Sequence, residues 1–338
     1  MAKYRLGGQT VKLENPPCIL SRATIVGSKE GQGPLGEYFD IVLDDNLWGE
    51  KTWEKAECRM YQEAARMAIA RAGKQPQDIN YLLGGDLLNQ IITANFAARV
   101  LGIPFFGLYG ACSTLTESLS LGAMLVSAGY ADLALCVTSS HFCTAERQYR
   151  FPLEMGTQRP PTAQWTVTGA GAFLLSNDAK PPYITHVTTG RVIDYGITDN
   201  NNMGAAMAPA AAATIKAHFE DTRQGPEAYD LIVTGDLGWF GRELTIDLLK
   251  KEGYDISDRF IDCGCEIYSR DQDTHAGGSG CGCSAVVLGA YILRKMEEGI
   301  YKRVLMLSTG ALLSTTSCQQ GESIPGIAHA ITIDMDRG

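Results

Sequence analysis

Two hydrophobic rhythms alternate along this chain. Short apolar runs closing on glycine or serine read as buried strands: "INYLLGGDL" from Ile79, "IPFFGLYG" from Ile103, "LALCVTSS" from Leu133 and "GAGAFLLS" from Gly169. Between them lie segments whose apolar positions return at helical spacing, such as "WEKAECRMYQEAARMAIARAG" (Trp53–Gly73) and "NQIITANFAARVLG", each closed by glycine. The later part repeats the order. "YITHVTTGRVID" from Tyr183 reads as a strand, "AAMAPAAAATIKAHF" as a helix, "DLIVTGDLG" from Asp230 as a strand and "RELTIDLLKKEG" as a helix. The segment "DRFIDCGC", a helix from about Ser279, the strand "RVLMLSTG" from Arg303 and the strand "AHAITIDM" complete it.

The repetition reaches the letters. "LLGGDL" (Leu82–Leu87) returns 150 residues later as "IVTGDL" (Ile232–Leu237), and "LGA" at Leu121–Ala123 returns 167 later at Leu288–Ala290. The larger second offset implies an insertion of roughly 17 residues in "CGCEIYSRDQDTHAGG", and it pairs Cys112 with Ser279. The expected organisation is two α/β halves, residues 1–180 and 181–338, meeting near the proline-interrupted "SNDAKPPY". Strands alternating with helices over short connections predict parallel-type layers with right-handed crossovers.

Composition narrows the class. The 338 residues are 45% hydrophobic and 20% charged, as in a soluble globular protein, and the net charge of −9 argues against a nucleic-acid partner. The opening "MAKYRLGGQT" lacks a signal-peptide pattern, and no run approaches the roughly 18 apolar residues of a membrane span. Ten cysteines without an export signal predict reduced thiols rather than a disulfide framework. The pairs Cys263/Cys265 and Cys281/Cys283 have one residue between them, closer than the usual zinc spacing, so small buried cysteines are expected and no metal.

The candidate chemistry sits in "GACSTLTESLSLGA" (Gly110–Ala123), where a cysteine stands between an apolar run and a helix. Cys112 there is either a nucleophile or a small apolar residue filling a turn. A helix N-terminus favours thiolate, and the same N–H groups suit a carboxylate or phosphate.

With the repeated halves, "GACST" at the turn and "GAGAFLLS" closing the first half, the chain resembles the thiolase/ketoacyl synthase superfamily. That resemblance implies two pseudo-duplicated βαβαβαββ halves in an αβαβα layered sandwich, with Cys112 as the acyl-carrying position. The basic partners of such enzymes are absent. Gly235–Gly238 stand where a histidine is expected, Gly278 or Ser279 where an asparagine is expected, and "STGALLSTTS" replaces a C-x-G-G-G segment. The expectation is therefore a non-catalytic protein with a vestigial nucleophile, the alternative being an acyltransferase or 3-ketoacyl synthase-like enzyme using Cys112 with His275 or His141 as base. A structural adaptor needing neither ligand nor thiol is a third class.

Within the superfamily, "GTQRPPTAQWTVTGAGAFLLS" and "DLGWFGRELTIDLL" resemble a branch from the sporulation machinery of spore-forming bacteria. That resemblance implies binding of dipicolinate (pyridine-2,6-dicarboxylate) and its calcium chelate, calcium being carried by the ligand, with no cofactor. Its implied setting is the forespore, peripheral to the inner spore membrane, beside membrane proteins of the stage V sporulation group. A flat aromatic dianion wants helix N-termini, planar donors and an apolar face. The expected ligand-binding residues are Cys112, His141, Arg147, Arg150, Asp194, His275 and Ser279, with Asp199 a further candidate for a chelated calcium. His186 and His218 are expected to be structural. A homodimer is implied, its two-fold axis beside the strand "LALCVTSS". The acidic stretch Ser28–Glu57 is either a surface excursion or a partner-binding arm presenting Trp48 and Trp53.

Overall fold

The computed structural model describes residues 3–149, 159–178 and 180–337. The first half begins with β1 (Thr10–Lys12), β2 (Cys18–Val26), α1 (Ser28–Gly31), β3 (Ile41–Val42), α2 (Trp53–Arg71) and β4 (Tyr81–Gly85). It continues with α3 (Ile92–Leu101), β5 (Phe105–Gly107), α4 (Thr114–Ser127), β6 (Leu133–Ser140), α5 (Phe142–Tyr149), β7 (Trp165–Thr166) and β8 (Gly169–Ser176). Then come β9 (Tyr183–Thr188), α6 (Met203–Thr222), β10 (Leu231–Thr234), α7 (Gly238–Lys251), β11 (Phe260–Asp262) and α8 (Cys263–Glu266). The chain ends with β12 (Gly278–Ser279), α9 (Cys281–Val287), α10 (Leu293–Glu297), β13 (Arg303–Ala311), α11 (Thr315–Gln319) and β14 (Gly326–Asp334).

The strands follow one order twice. The first half runs β5-β4-β6-β8-β2 and the second β11-β10-β13-β14-β9, joined where Cys18 pairs with Tyr183. The outer three strands of each run are parallel, as the helical crossovers require. The inner pairings β6–β8, β8–β2, β13–β14 and β14–β9 are antiparallel, which the strand pattern alone did not show. The reason lies in the connections. Ser140 pairs with Gly169 and Ala311 with Gly326, so each excursion leaves and re-enters the sheet at the same end. Those two excursions build one end of the molecule.

Three apolar cores separate the layers. One lies between α2, α3 and the first set of strands, a second between α6, α7 and the second set. The third, between the sheets, is filled by α4 and α9. A helix enclosed on both sides has no surface for bulky polar groups, and α4 meets this with small residues. Ser118 returns its hydroxyl to the Leu115 carbonyl (2.7 Å), and a Cβ at Gly122 would lie 2.8 Å from the Cys136 sulfur.

Two expectations change. The strand "LALCVTSS" is β6, hydrogen-bonded to β4 and β8 and buried throughout, so it cannot pair with a second copy; the edges of the strand order are β5 and β11. The Ser28–Glu57 stretch is docked on the body: Arg59 lies over the Trp48 ring (4.3 Å) and donates to the Trp48 carbonyl (2.6 Å), while Asp40 accepts a forked pair from Arg71. Trp48 and Trp53 are half-buried rather than presented.

Buried carboxylates hold the loops at the carboxyl ends of the strands. Asp86, after β4, accepts from the Leu88 and Ala94 N–H groups (2.8 and 2.7 Å). Glu57 of α2 accepts from Ser139 (3.0 Å) and Thr144 (2.9 Å), tying β6 to α5. Burial, then the Asp86 charge, pushes Glu57 up to about 8. Burial lowers His141, His186 and His329 to about 4 and His218 to about 3. A histidine with a depressed folded pKa loses stability only as pH falls below its unfolded value of about 6.5. A carboxylate with a raised folded pKa loses stability as pH rises through that pKa. Between pH 6.5 and 8 the carboxylates therefore act alone. Stability to urea should fall across that window by on the order of 1–2 kcal/mol, and Glu57→Gln, which cannot ionise, should flatten the fall.

Candidate functional site

The turn after β5 delivers Cys112. Ala111 is held at φ 51°, a left-handed conformation that costs a non-glycine residue on the order of 1 kcal/mol. Its neighbours fix it: Ser113 donates to the Gly110 carbonyl (2.7 Å) and Thr114 to the Ala111 carbonyl (2.7 Å). From β13, Gly310 approaches so closely that a Cβ there would lie 2.5 Å from the Gly110 oxygen. The turn then runs into α4 with Cys112 on its inner side, 5% exposed.

A cavity of ≈ 280 Å³ opens above Cys112. The two excursions wall it, α5 with Ala145, Glu146 and Tyr149 on one side and Ala311–Ser314 on the other. The Tyr109 and Tyr149 hydroxyls lie 3.2 Å apart at its rim, and Tyr149 donates to the Leu87 carbonyl, clamping α5 to the loop after β4. Among the described lining residues there is no lysine, arginine or histidine.

Behind the lining residue Ser279, the loop after β10 holds Asp236, 1% exposed. Its Oδ1 accepts from Thr309 (2.7 Å); its Oδ2 accepts from the Gly280 N–H (2.8 Å) and from Ser279 (3.3 Å). Behind it Asp262 accepts from Thr234, the Leu237 N–H and the Gly238 N–H (2.7, 2.8 and 2.9 Å), fixing the start of α7. Burial, and then the charge of Asp236, pushes Asp262 up to about 7. Burial and then the Asp236 charge likewise push the Cys112 thiol well above its usual range. Burial outweighs the helix N-terminus, because the sulfur is out of water.

Of the seven residues expected to bind ligand, the structure brings Cys112 and Ser279 together in the cavity. His141 is buried behind α5, its Nε2 donating to the Asn46 carbonyl (2.8 Å) and its Nδ1 accepting from the Cys143 N–H (3.1 Å). Arg147 turns to α2, paired with Glu54 and stacked over Trp53. Arg150 lies outside the described residues. Asp194 is on the surface, accepting from the Gly196 N–H and from Ser323. His275 faces the Pro160 carbonyl (2.8 Å) and the Asp273 carboxylate (3.0 Å), away from the cavity. Asp199 closes its own turn onto the Asn201 N–H. His186 and His218 sit in an internal network in which His218 bridges Thr188 and Tyr229 (2.6 Å each).

Sequence reading missed Asp236 and Tyr109. Asp236 did carry a signal, because "LLGGDL" and "IVTGDL" each put an aspartate at the end of an equivalent strand. All ten cysteines are free, the four of the C-x-C pairs being buried. No group of His, Cys, Asp or Glu among the described residues is arranged to hold a metal ion.

A family model for stage V sporulation protein AD (SpoVAD) matches residues 7–334. The chain belongs to that family. It is 47% identical over 332 residues to the stage V sporulation protein AD of Bacillus subtilis (strain 168), covering 98% of each chain. In fold it is similar to 3-oxoacyl-[acyl-carrier-protein] synthase III from Aquifex aeolicus VF5 (TM-score 0.60, 13% identity, 94% of this chain and 99% of that one). It is also similar to acetamide-bound OleA of Xanthomonas campestris (TM-score 0.62, 15% identity, 96% and 100%). The expected thiolase-like fold and the sporulation family are thus established, at identities to the enzymes that speak for the fold alone. No helix among the described residues is long and apolar enough to cross a membrane.

The crowding at the turn has a measurable consequence. Gly310→Ala sets a methyl against backbone that cannot move aside, and should lower stability by about 1–3 kcal/mol. Urea unfolding checks it, and an unchanged midpoint would mean that the turn is not pinned by β13.

Proposed function

We propose that this protein is a non-catalytic member of the thiolase-like fold that binds dipicolinate as its calcium chelate in the cavity above Cys112, and supports its uptake into the developing spore. One observation carries this reading: the cavity at the cysteine turn is kept, while its described lining holds no lysine, arginine or histidine to serve a condensing enzyme as base. Membership of the sporulation family supports the setting. In that setting the protein works peripherally at the inner spore membrane with membrane proteins of the stage V group.

The lining suits a flat, neutral chelate. Leu87, Met203 and Leu312 offer apolar faces, and Tyr109 at the rim offers its hydroxyl to a carboxylate oxygen. A free dianion would face the Glu146 carboxylate of the lining, whereas calcium on the ligand cancels its charge.

Calorimetric titration with dipicolinate, with and without calcium, tests the proposal. Saturable binding should be tighter with calcium, and Tyr109→Phe should weaken it by roughly five- to tenfold, the worth of one hydrogen bond. His275→Ala, outside the cavity, should leave it unchanged. No heat from either form of the ligand, or an acyl adduct on Cys112 formed from an acyl-CoA, would overturn it.

A homodimer through β5 completes the proposal. This strand is open at the sheet edge, and Phe106 upon it and Val100 on neighbouring α3 are half exposed (50% and 51%). Light scattering should give twice the chain mass, and Phe106→Lys with Val100→Glu should halve it.

A further inference from the structure

We infer that the amino-terminal hairpin, residues 3–16, forms with Arg337 a docking surface for an anionic lipid bilayer, Lys12 and Arg337 meeting phosphate headgroups while Tyr4 and Leu6 enter the interface. The inference deepens the peripheral-membrane setting proposed above and rests on it.

The charge here runs against that of the chain. The whole sequence has 38 acidic and 29 basic residues, yet residues 3–16 hold Lys3, Arg5 and Lys12 against the single carboxylate of Glu14. Lys3 answers that carboxylate at 2.9 Å, which leaves the segment a surplus of positive charge. Arg337 joins it from the other end of the chain. It lines one cavity of ≈ 440 Å³ with Lys3, Tyr4, Leu6 and Lys12, where Glu14 is the acidic residue among the described lining. The Arg337 guanidinium donates to the Asn177 carbonyl (2.9 Å) and lies over the Tyr183 ring (5.2 Å), contacts that place it without cancelling its charge.

Apolar groups stand among these cations. A strand ordinarily turns its apolar side chains inward, but Tyr4 and Leu6 are 37% and 42% exposed. Arg5 bridges to Val11, and the Lys12 N–H donates to the Tyr4 carbonyl (3.0 Å), so Tyr4 lies opposite Lys12. Alternation then sets Tyr4, Leu6 and Lys12 on one side of the hairpin. A phenol ring, an aliphatic tip and long-stemmed cations match the headgroup layer of a bilayer, where rings settle and lysine stems lie along apolar surface. An acidic peptide would meet the cations and leave Tyr4 and Leu6 unanswered.

The surface is held ready. Asp221 of α6 accepts from the Gly8, Gln9 and Thr10 N–H groups (2.9, 2.8 and 2.7 Å), and the Thr10 hydroxyl meets that of Thr188 (2.9 Å). Order fixed in advance is not lost again on binding. Its position also matters. Gly169 and Gly326 mark the cavity end of the sheet, Ser176 and Asp334 the other end. Lys12 pairs beside His186 and Arg337 follows β14, so the surface is at the end away from the cavity. Docked there, the protein holds its cavity open to the aqueous side.

Co-sedimentation of the full chain with vesicles tests this. Vesicles of equal parts phosphatidylglycerol and phosphatidylcholine should carry the protein down, and phosphatidylcholine alone should not. Each cation at an anionic surface is worth roughly fivefold in affinity, so Lys12→Glu with Arg337→Glu should weaken binding by roughly twentyfold or more at low salt. Tyr4→Ser with Leu6→Ser should weaken it too, leaving a remainder that added salt abolishes. Lys51→Glu with Lys55→Glu, exposed residues at the start of α2, changes the net charge equally and should leave binding within about twofold.

Near-ultraviolet circular dichroism checks that each variant is folded. Equal binding to neutral vesicles would overturn the inference. Binding that both hairpin variants leave unchanged would overturn this surface and leave the peripheral setting standing. A wild type that sediments with neither vesicle would overturn it in favour of an acidic protein partner, and the calorimetric test of the cavity would be untouched.

Discussion

The burial of α4 and α9 between two sheets is the constraint from which the rest of this structure follows. A helix enclosed on both sides cannot send its end groups to water, so the polar groups at its head must be met inside the protein. Here the partners are the strand ends of the other layers: Asp236 takes the Gly280 N–H, and β13 closes on the turn that leads into α4. Duplication supplies this arrangement twice, which is why an aspartate closes the equivalent strands β4 and β10. Each caps a different loop, Asp86 the loop into α3 and Asp236 the head of α9.

The cavity is a by-product of the same architecture. Both excursions leave and rejoin the sheet at one end, and the space between them lies above the heads of the central helices. In an enzyme this is where binding energy would be turned on a reacting thioester. In this chain the described lining of that space carries no lysine, arginine or histidine.

The residues expected to meet a ligand show how far local reading reaches. His141, Arg147 and Tyr149 lie within one short stretch ending in α5, and all looked equally placed. A helix advances about 100° per residue, so they are sent to different fates. Tyr149 reaches the cavity rim, Arg147 reaches Glu54 on α2, and His141 is sealed under the helix start by the Asn46 carbonyl. Nothing in the stretch itself says which face meets the cavity, because that depends on where α2 lies.

What the amino-acid sequence determined by itself was periodic and local. The strands and helices, their doubled order, the cysteine at a helix start and the absence of a histidine at Gly235–Gly238 are all written in spacing and residue type. What only the tertiary structure decided was long-range. It made β5 and β11 the edges and enclosed β6, turned Arg147 and His275 away from the cavity, and packed Cys112 against Leu87, Ala145 and Cys281. Backbone pattern follows from neighbours along the chain, but the burial and charge that fix a thiol's proton come from residues more than a hundred positions away.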